Sequence, residues 1–270
     1  MLAQTNLPAA HVGEDHPSRQ GSAAAESTVE RQFLKDVSQH AMTVYKDEDV
    51  YRHIRFGRPD SGFEAFHLIT WPGHLCYTGD MGTYVFQRTH DMFDFFRRPD
   101  HCRYTIDMRY WAEKVQAGDK SSNGNGVTEF SKALFDSKIR EWLDDFVRDE
   151  MEEAEELAET ELCMAAMDDL RKAVEREVIG ADSNDVRCFD AANDFQFGAS
   201  DSEAWSAYYG DQKTFEFVDF WEVDCTEYTH RFKWCCLALS WAMQVYDKSK
   251  AVEAAPVRDP RVPDMFEVQQ

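Results

Sequence analysis

FHLITWPGHLCYTGDMGTYVFQRTHDMFDFFRR, residues 66–98, is the densest run of turn chemistry in the chain and decides its fold. Trp71-Pro72-Gly73 and Gly79-Asp80-Met81-Gly82 are turns with a mechanism, because proline presets φ and glycine admits positive φ. The segments beside them, HLCYT and TYVFQR, read as strands. Upstream, VYRHIRF and FEAFHLIT are β-rich and separated by Arg58-Pro59-Asp60-Ser61-Gly62, a third turn. Four strands joined by short turns make a meander, which is antiparallel by construction. Thr89 or Asp91 is placed to cap the helix DMFDFFRR, whose arginines suit its C-terminal end, and Pro99 stops it.

Outward from this centre, residues 1–26 are rich in Ala, Gln, Ser and Gly and read as a flexible N-terminal arm. Ser27 and Glu30 have capping-box spacing, and Val29, Phe33, Val37, Ala41 and Val44 then predict a helix to about Lys46. Asp107 caps a second short helix, MRYWAEKVQA, closed by Gly118. DKSSNGNGV is the clearest loop and divides a sheet-containing α+β part, 27–118, from a mainly helical part, 127–250. A four-stranded meander needs a helical layer over its apolar face, so the two parts are not expected to fold independently.

In the second part, Leu134, Phe135, Ile139, Trp142, Leu143, Phe146 and Val147 form one helical stripe. Leu157, Cys163 or Met164, Met167, Leu170 and Val174 form another, ending at Gly180. The pattern leaves open whether 141–178 is one helix or two with a kink near Glu155. DVRCFDAANDF and SEAWSAYYG read as short elements. TFEFVDFWEV alternates with Phe215, Phe217, Asp219 and Trp221 on one side, as a fifth strand of the meander would. Phe232, Cys235 or Cys236, Leu239, Met243 and Tyr246 mark a final helix, and residues 251–270, with three prolines, read as an extended tail anchored by Met265 and Phe266.

Charge is the strongest global signal: 29 Lys and Arg stand against 51 Asp and Glu, a net −22. Such a chain repels nucleic acid and anionic membranes and is drawn to basic surfaces, although solubility alone also accounts for it. Between Glu141 and Glu161 lie eleven acidic residues and one arginine, nearly half of the excess. Arg52, Arg55, Arg58, Arg97, Arg98 and Arg103 are the one basic concentration, and they are expected to pair with acids of this chain or of a second subunit. No run approaches the roughly 18 apolar residues of a membrane span, and the N-terminus lacks the pattern of a signal peptide. Seven cysteines at irregular spacings fit reduced thiols in a cytosol.

The chemistry-bearing patterns are weaker than their structural alternatives. GHLCYTGDMG carries glycines that bracket a strand and do not open a helix beneath a phosphate, so no cofactor is implied. His74 and Cys76 alternate on one strand, with His101-Cys102 beyond the aromatic helix. That spacing falls short of the closely paired ligands of structural zinc. Asp80, Asp91 and His90 would serve a metal-dependent nuclease or nucleotide hydrolase if they met at the hairpin end. Yet Asp80 is also what its turn favours, since its side chain can bond amides two positions on.

Trp71, Pro72, Gly73, Gly79, Asp80, Met81, Gly82, Phe86, Arg88, Asp91, Met92, Phe93, Phe95, Phe96 and Arg97 together resemble the signature of a family of proteins in tailed phages and prophages. The likeness extends to Tyr110–Ala117 and to the helix after the loop, covering about the first half. The chain is further similar to phage anti-defence proteins that block the Gabija system. That resemblance implies an oligomeric, non-enzymatic inhibitor, acting in the host bacterial cytoplasm, that wraps a nuclease–helicase complex and prevents DNA recognition. Within such a protein the acids Glu141, Asp144, Asp145, Asp149, Glu152, Glu153, Glu155, Glu156 and Glu159 are the candidate partner-binding residues, facing a basic DNA-binding surface. A phage accessory protein binding a replication or recombination factor is the further alternative. The expected architecture is α+β: an antiparallel meander packed by helices, then a mostly helical acidic second half.

Overall fold

The computed structural model describes residues 28–97, 106–118, 126–157, 159–180 and 184–254. The N-terminal arm, the Ser27 cap, Arg98, Pro99, the His101-Cys102 pair, Arg103, loop residues 119–125 and the tail with Met265 and Phe266 lie outside the described residues. The fold is α+β, with an antiparallel six-stranded sheet and a mostly helical second half. The chain divides into two compact units, one formed by Met1–Ser122 together with His230–Gln270 and the other by Asn123–Thr229.

The first helix, α1 (residues 28–36), is shorter than its sequence pattern predicts. Val37–Gln39 form a 3-10 turn, and Ala41–Glu48 is strand β1 instead of helix. Val37, Ala41 and Val44 do fall at helical spacing, but Thr43, Val44 and Tyr45 are β-formers. They are captured by antiparallel pairing with β2 (Tyr51–Gly57), with a bulge between Val44 and Lys46. Strands β3 (Phe66–Trp71), β4 (His74–Gly79) and β5 (Gly82–Gln87) continue the meander in sequence order.

The turns behave as their residues demand. Gly73 adopts φ 79°, its N–H donates to the carbonyl of His90, and its own carbonyl accepts from Arg88. The Trp-Pro-Gly turn is thereby tied to the chain that follows β5. Asp91 caps α2 (Met92–Phe96) by accepting from the N–H of Phe93. The single helix expected over 108–117 is two elements, α3 (Met108–Ala112), capped by Asp107, and strand β6 (Val115–Ala117). Val115 pairs with Phe86, so the sheet gains a sixth strand at the β5 edge.

The second unit opens with β7 (Thr128–Phe130) and α4 (Lys132–Leu157), followed by α5 (Thr160–Val174) and a π turn over Glu175–Ile179. The acidic region is therefore two helices, broken after Leu157. Phe135, Ile139, Leu143, Val147 and Ala154 of α4 are buried against Cys163, Met167, Leu170 and Val174 of α5. Met164 is exposed, so Cys163 takes the core position. Helix α6 (Asp185–Asp194), strand β8 (Gln196–Phe197) and α7 (Glu203–Tyr209) follow, α7 capped by Ser202 and ended by Gly210 at φ 67°.

The segment expected as a fifth strand of the meander does not join it. Only Phe215–Glu216 (β9) is extended, and it pairs with β8 inside the second unit. Asp219 turns the chain with φ 54° into a 3-10 turn at Phe220–Glu222, which buries Phe215 and Phe217 but leaves Trp221 62% exposed. Strand β10 (Thr226–Tyr228) then pairs with β7.

Helix α8 (His230–Ala254) belongs with the sheet, which corrects its assignment to the helical 127–250 part. It supplies the layer that the meander's apolar face requires. Trp234 meets Phe33 and Phe66 edge-on at centroid distances of 5.0 and 5.8 Å, Phe232 meets Tyr84, and Tyr246 meets Phe93. Burying these aromatics is the main stabilisation of the unit, at about 25 cal/mol per Å² of apolar surface removed from water.

Candidate binding surface on the acidic helix

The nine candidate acids share one property: every one of them is exposed. Eight of them lie on α4 and Glu159 precedes α5; a further acid of α4, Glu150, is buried and serves the fold, accepting from the phenol of Tyr209 and, at 2.5 Å, from Lys213. Burial, reinforced by that carboxylate, pushes the Tyr209 phenol well above its ordinary value.

The exposed acids differ along the helix. Glu141 pairs with Lys138 at 2.7 Å, Asp144 with Arg171 at 2.8 Å, and Asp145 with Arg148 at 2.8 Å, with Asp149 at 3.9 Å from Arg148. Glu152, Glu153, Glu155, Glu156 and Glu159 make no ion pair or side-chain hydrogen bond among the described residues. Four of these lie in the last two turns of α4, where carboxylates oppose the helix dipole, typically by about 0.3–1 kcal/mol each. Glu152 and Glu156 are also like charges four residues apart, which costs roughly 0.2–0.5 kcal/mol.

Beside the paired half of α4 opens a cleft of about 690 Å³. Its floor is apolar: Trp142 and Phe146 from α4, Phe220 and Val223 from the turn before β10. Its rim is acidic: Glu141, Asp145 and Asp149 on one wall and Asp224 on the other, with Lys138 as the lining cation. The floor is braced from beneath, Trp142 against Phe220 at 5.8 Å and Phe146 against Phe215 at 4.8 Å. Sequence reading places Trp142 and Phe146 in the core stripe, whereas they are half-buried and face the cleft. Phe220 and Val223 lie in a segment read as strand, with Asp224 just after it, and none of the three was expected at any site.

The residues of the signature stretch are explained by the fold. Gly79 sits so close to the neighbouring strand that a Cβ there would lie 2.3 Å from the carbonyl of Ala65. Asp80 reaches across to accept from the N–H of Glu64 at 3.1 Å, and not from amides of its own turn. Phe93 and Phe96 are fully buried. Asp80 and Asp91 do not converge: Asp80 lies at the Gly79–Gly82 end of β4 and β5, whereas Asp91 binds Arg52, which pairs with Thr70 at the other end. Six strand residues separate those ends, roughly 20 Å. His74 stacks on Trp71 and its Nδ1 lies 3.0 Å from the carbonyl of Pro72. Among the described residues no three His, Cys, Asp or Glu side chains are grouped to hold a metal ion.

The described arginines of the basic concentration are largely committed. Arg52 binds Asp91, Arg97 binds Asp247 and Asp94, and Arg55 donates to the carbonyls of Arg58 and Ser61. Cys76, Cys163, Cys188, Cys225, Cys235 and Cys236 are free thiols. No helix among the described residues is long and apolar enough to cross a membrane.

Fold and surface together define an α+β protein with an acidic helical face and an aromatic-floored cleft. Comparison with protein-family models, curated proteins and solved structures finds no match to the chain.

Proposed function

We propose that this chain is a phage-encoded inhibitor of a bacterial antiphage defence system. It acts in the host cytoplasm by binding a DNA-processing complex of the Gabija nuclease–helicase kind and blocking its DNA recognition. One observation carries the reading: a run of outward carboxylates at the end of α4 that has no cation of its own among the described residues and is locally unfavourable there. A basic partner relieves both the repulsion and the opposed dipole, so these acids gain most when a cationic surface covers them. The same charge disfavours direct contact with nucleic acid.

The test is charge reversal at Glu152, Glu153, Glu155 and Glu156 to Lys. Circular dichroism and the melting temperature should stay near those of the wild type, because all four side chains are exposed. Phage plating on a defended host should fall to the level seen without the inhibitor, and the DNA-processing complex should no longer co-purify. Full protection by the folded variant would remove this surface from the mechanism.

A further inference from the structure

We propose that the cleft beside α4 receives an apolar side chain of the partner flanked by Lys or Arg, so that the bound segment is amphipathic as well as basic. The inference rests on the protein-binding reading above and deepens it by naming the chemistry of the segment.

Recognition by charge alone needs only carboxylates on a convex helix. Here Glu141, Asp145 and Asp149 of α4 instead border a concavity of about 690 Å³, within the size range of ligand-binding clefts, roughly 300–1,000 Å³. Trp142, Phe146 and Val223 are half-buried rather than buried, so apolar surface faces solvent at the bottom of an acidic rim. The aromatic bracing beneath holds that floor in place, which lowers the ordering cost of binding. The turn that carries Phe220 also exposes Val218 and Trp221, at 55% and 62%.

The two walls specify what flanks the anchor. Asp145 and Asp149 are one turn apart on α4, and Asp224 stands on the opposite wall. Asp145 and Asp149 share the single cation Arg148, and Asp224 makes no ion pair among the described residues, so a neutral or acidic apolar segment would desolvate carboxylates that are incompletely paired, which is costly. A purely cationic segment would leave the aromatic floor wet. A segment with an apolar residue between cations satisfies both, because long Lys and Arg stems cover apolar surface while their heads reach the rim.

Two fluorescein-labelled peptides of equal length and net charge test this with the full chain. One is an amphipathic Lys/Leu peptide with a single Trp, the other a Lys/Ser peptide without apolar residues. The amphipathic peptide should bind at least tenfold more tightly by fluorescence polarisation, and should shift the Trp142 indole N–H resonance of the wild-type protein, assigned with Trp142→Phe. Val223→Trp, which fills the cleft from its floor, should weaken the amphipathic peptide at least tenfold and leave the Lys/Ser peptide unchanged. Equal affinities for the two peptides, or an unmoved Trp142 resonance at saturation, would overturn the inference even if Val223→Trp failed to fold. Should that happen while the four-acid reversal still abolishes protection, the cleft is dispensable and the charge-driven reading stands. Should the reversal leave protection intact, the reading falls and the cleft inference with it.

Discussion

Asp91 accepts two parallel hydrogen bonds from the guanidinium of Arg52, at 2.8 and 2.9 Å, and caps α2 with the same carboxylate through the N–H of Phe93. Arg52 is nearly buried and lies 4.5 Å from the centre of the Phe93 ring. The acid that sequence reading offers to a hydrolytic site is therefore a clasp joining β2 to the helix after β5.

Loss of that clasp should be costly. Asp91→Asn leaves a largely buried guanidinium without its counter-charge, and we expect a destabilisation of about 2–3 kcal/mol, somewhat below the range for fully buried pairs. Burial pushes the Asp91 carboxyl up, but the hydrogen bonds from Arg52 and Phe93 outweigh it and hold the group below its ordinary value. A carboxylate with a lowered folded pKa contributes stability that is complete above its unfolded value and fades as pH falls through the folded one. The difference between wild type and Asp91→Asn in urea unfolding should thus be constant above about pH 5 and narrow progressively as pH falls below it. A difference independent of pH would assign the effect to packing.

The sheet should tolerate a methyl group at one glycine and not at another. At Gly79 an added Cβ would meet the backbone of Ala65 and Phe66 at 2.3 and 2.7 Å, so β3 and β4 would have to separate. Gly79→Ala should cost roughly 1–3 kcal/mol, as overpacking does. Gly62, with nothing within 4 Å, is the control: Gly62→Ala should be neutral or stabilise by about 0.4–1 kcal/mol through the unfolded chain. Denaturant midpoints for the two variants decide it, and equal shifts would contradict the close approach.

Two neighbouring acids of α4 should respond oppositely to truncation. Glu150 is buried and holds both Tyr209 and Lys213, so Glu150→Ala should destabilise by about 3 kcal/mol or more. Glu152→Ala, on the exposed face, should be neutral or stabilise by up to about 1 kcal/mol, since it removes an opposed dipole and a like-charge neighbour. A thermal melt of each reads the difference, and a double-mutant cycle with Lys213→Met isolates the ion pair. Equal melting temperatures would show that Glu150 is not the inward member of the series.

The legible part of the fold was that written in turn residues and alternation. Proline and glycine at 59, 62, 72, 73, 79 and 82 punctuate β2 to β5, and buried and outward residues alternate along each of them. β1 was hidden because it is an edge strand exposed over most of its length, so it has no alternation to read, and its Val44 extends a helical spacing by coincidence. The position of α8 was hidden for the opposite reason. From Trp234 to Ser240 every residue is buried, so the helix signals burial without indicating a face or a neighbour. At the candidate surface, the acids of α4 could be read directly. The cleft floor could not, because Phe220 and Val223 reach it through a left-handed Asp219, a conformation that residue type permits but does not announce.

The return of α8 to the sheet makes the first unit discontinuous in sequence, with the second unit threaded between its two parts. A ribosome delivers the six strands long before it delivers the helix that covers Phe56, Phe66 and Tyr77. Until His230 onward has emerged, an aromatic face stands open to solvent and to chaperones, while Asn123–Thr229 already holds a core of its own. The order of synthesis therefore favours completion of the acidic, cleft-bearing unit first, with closure of the sheet as the last folding event.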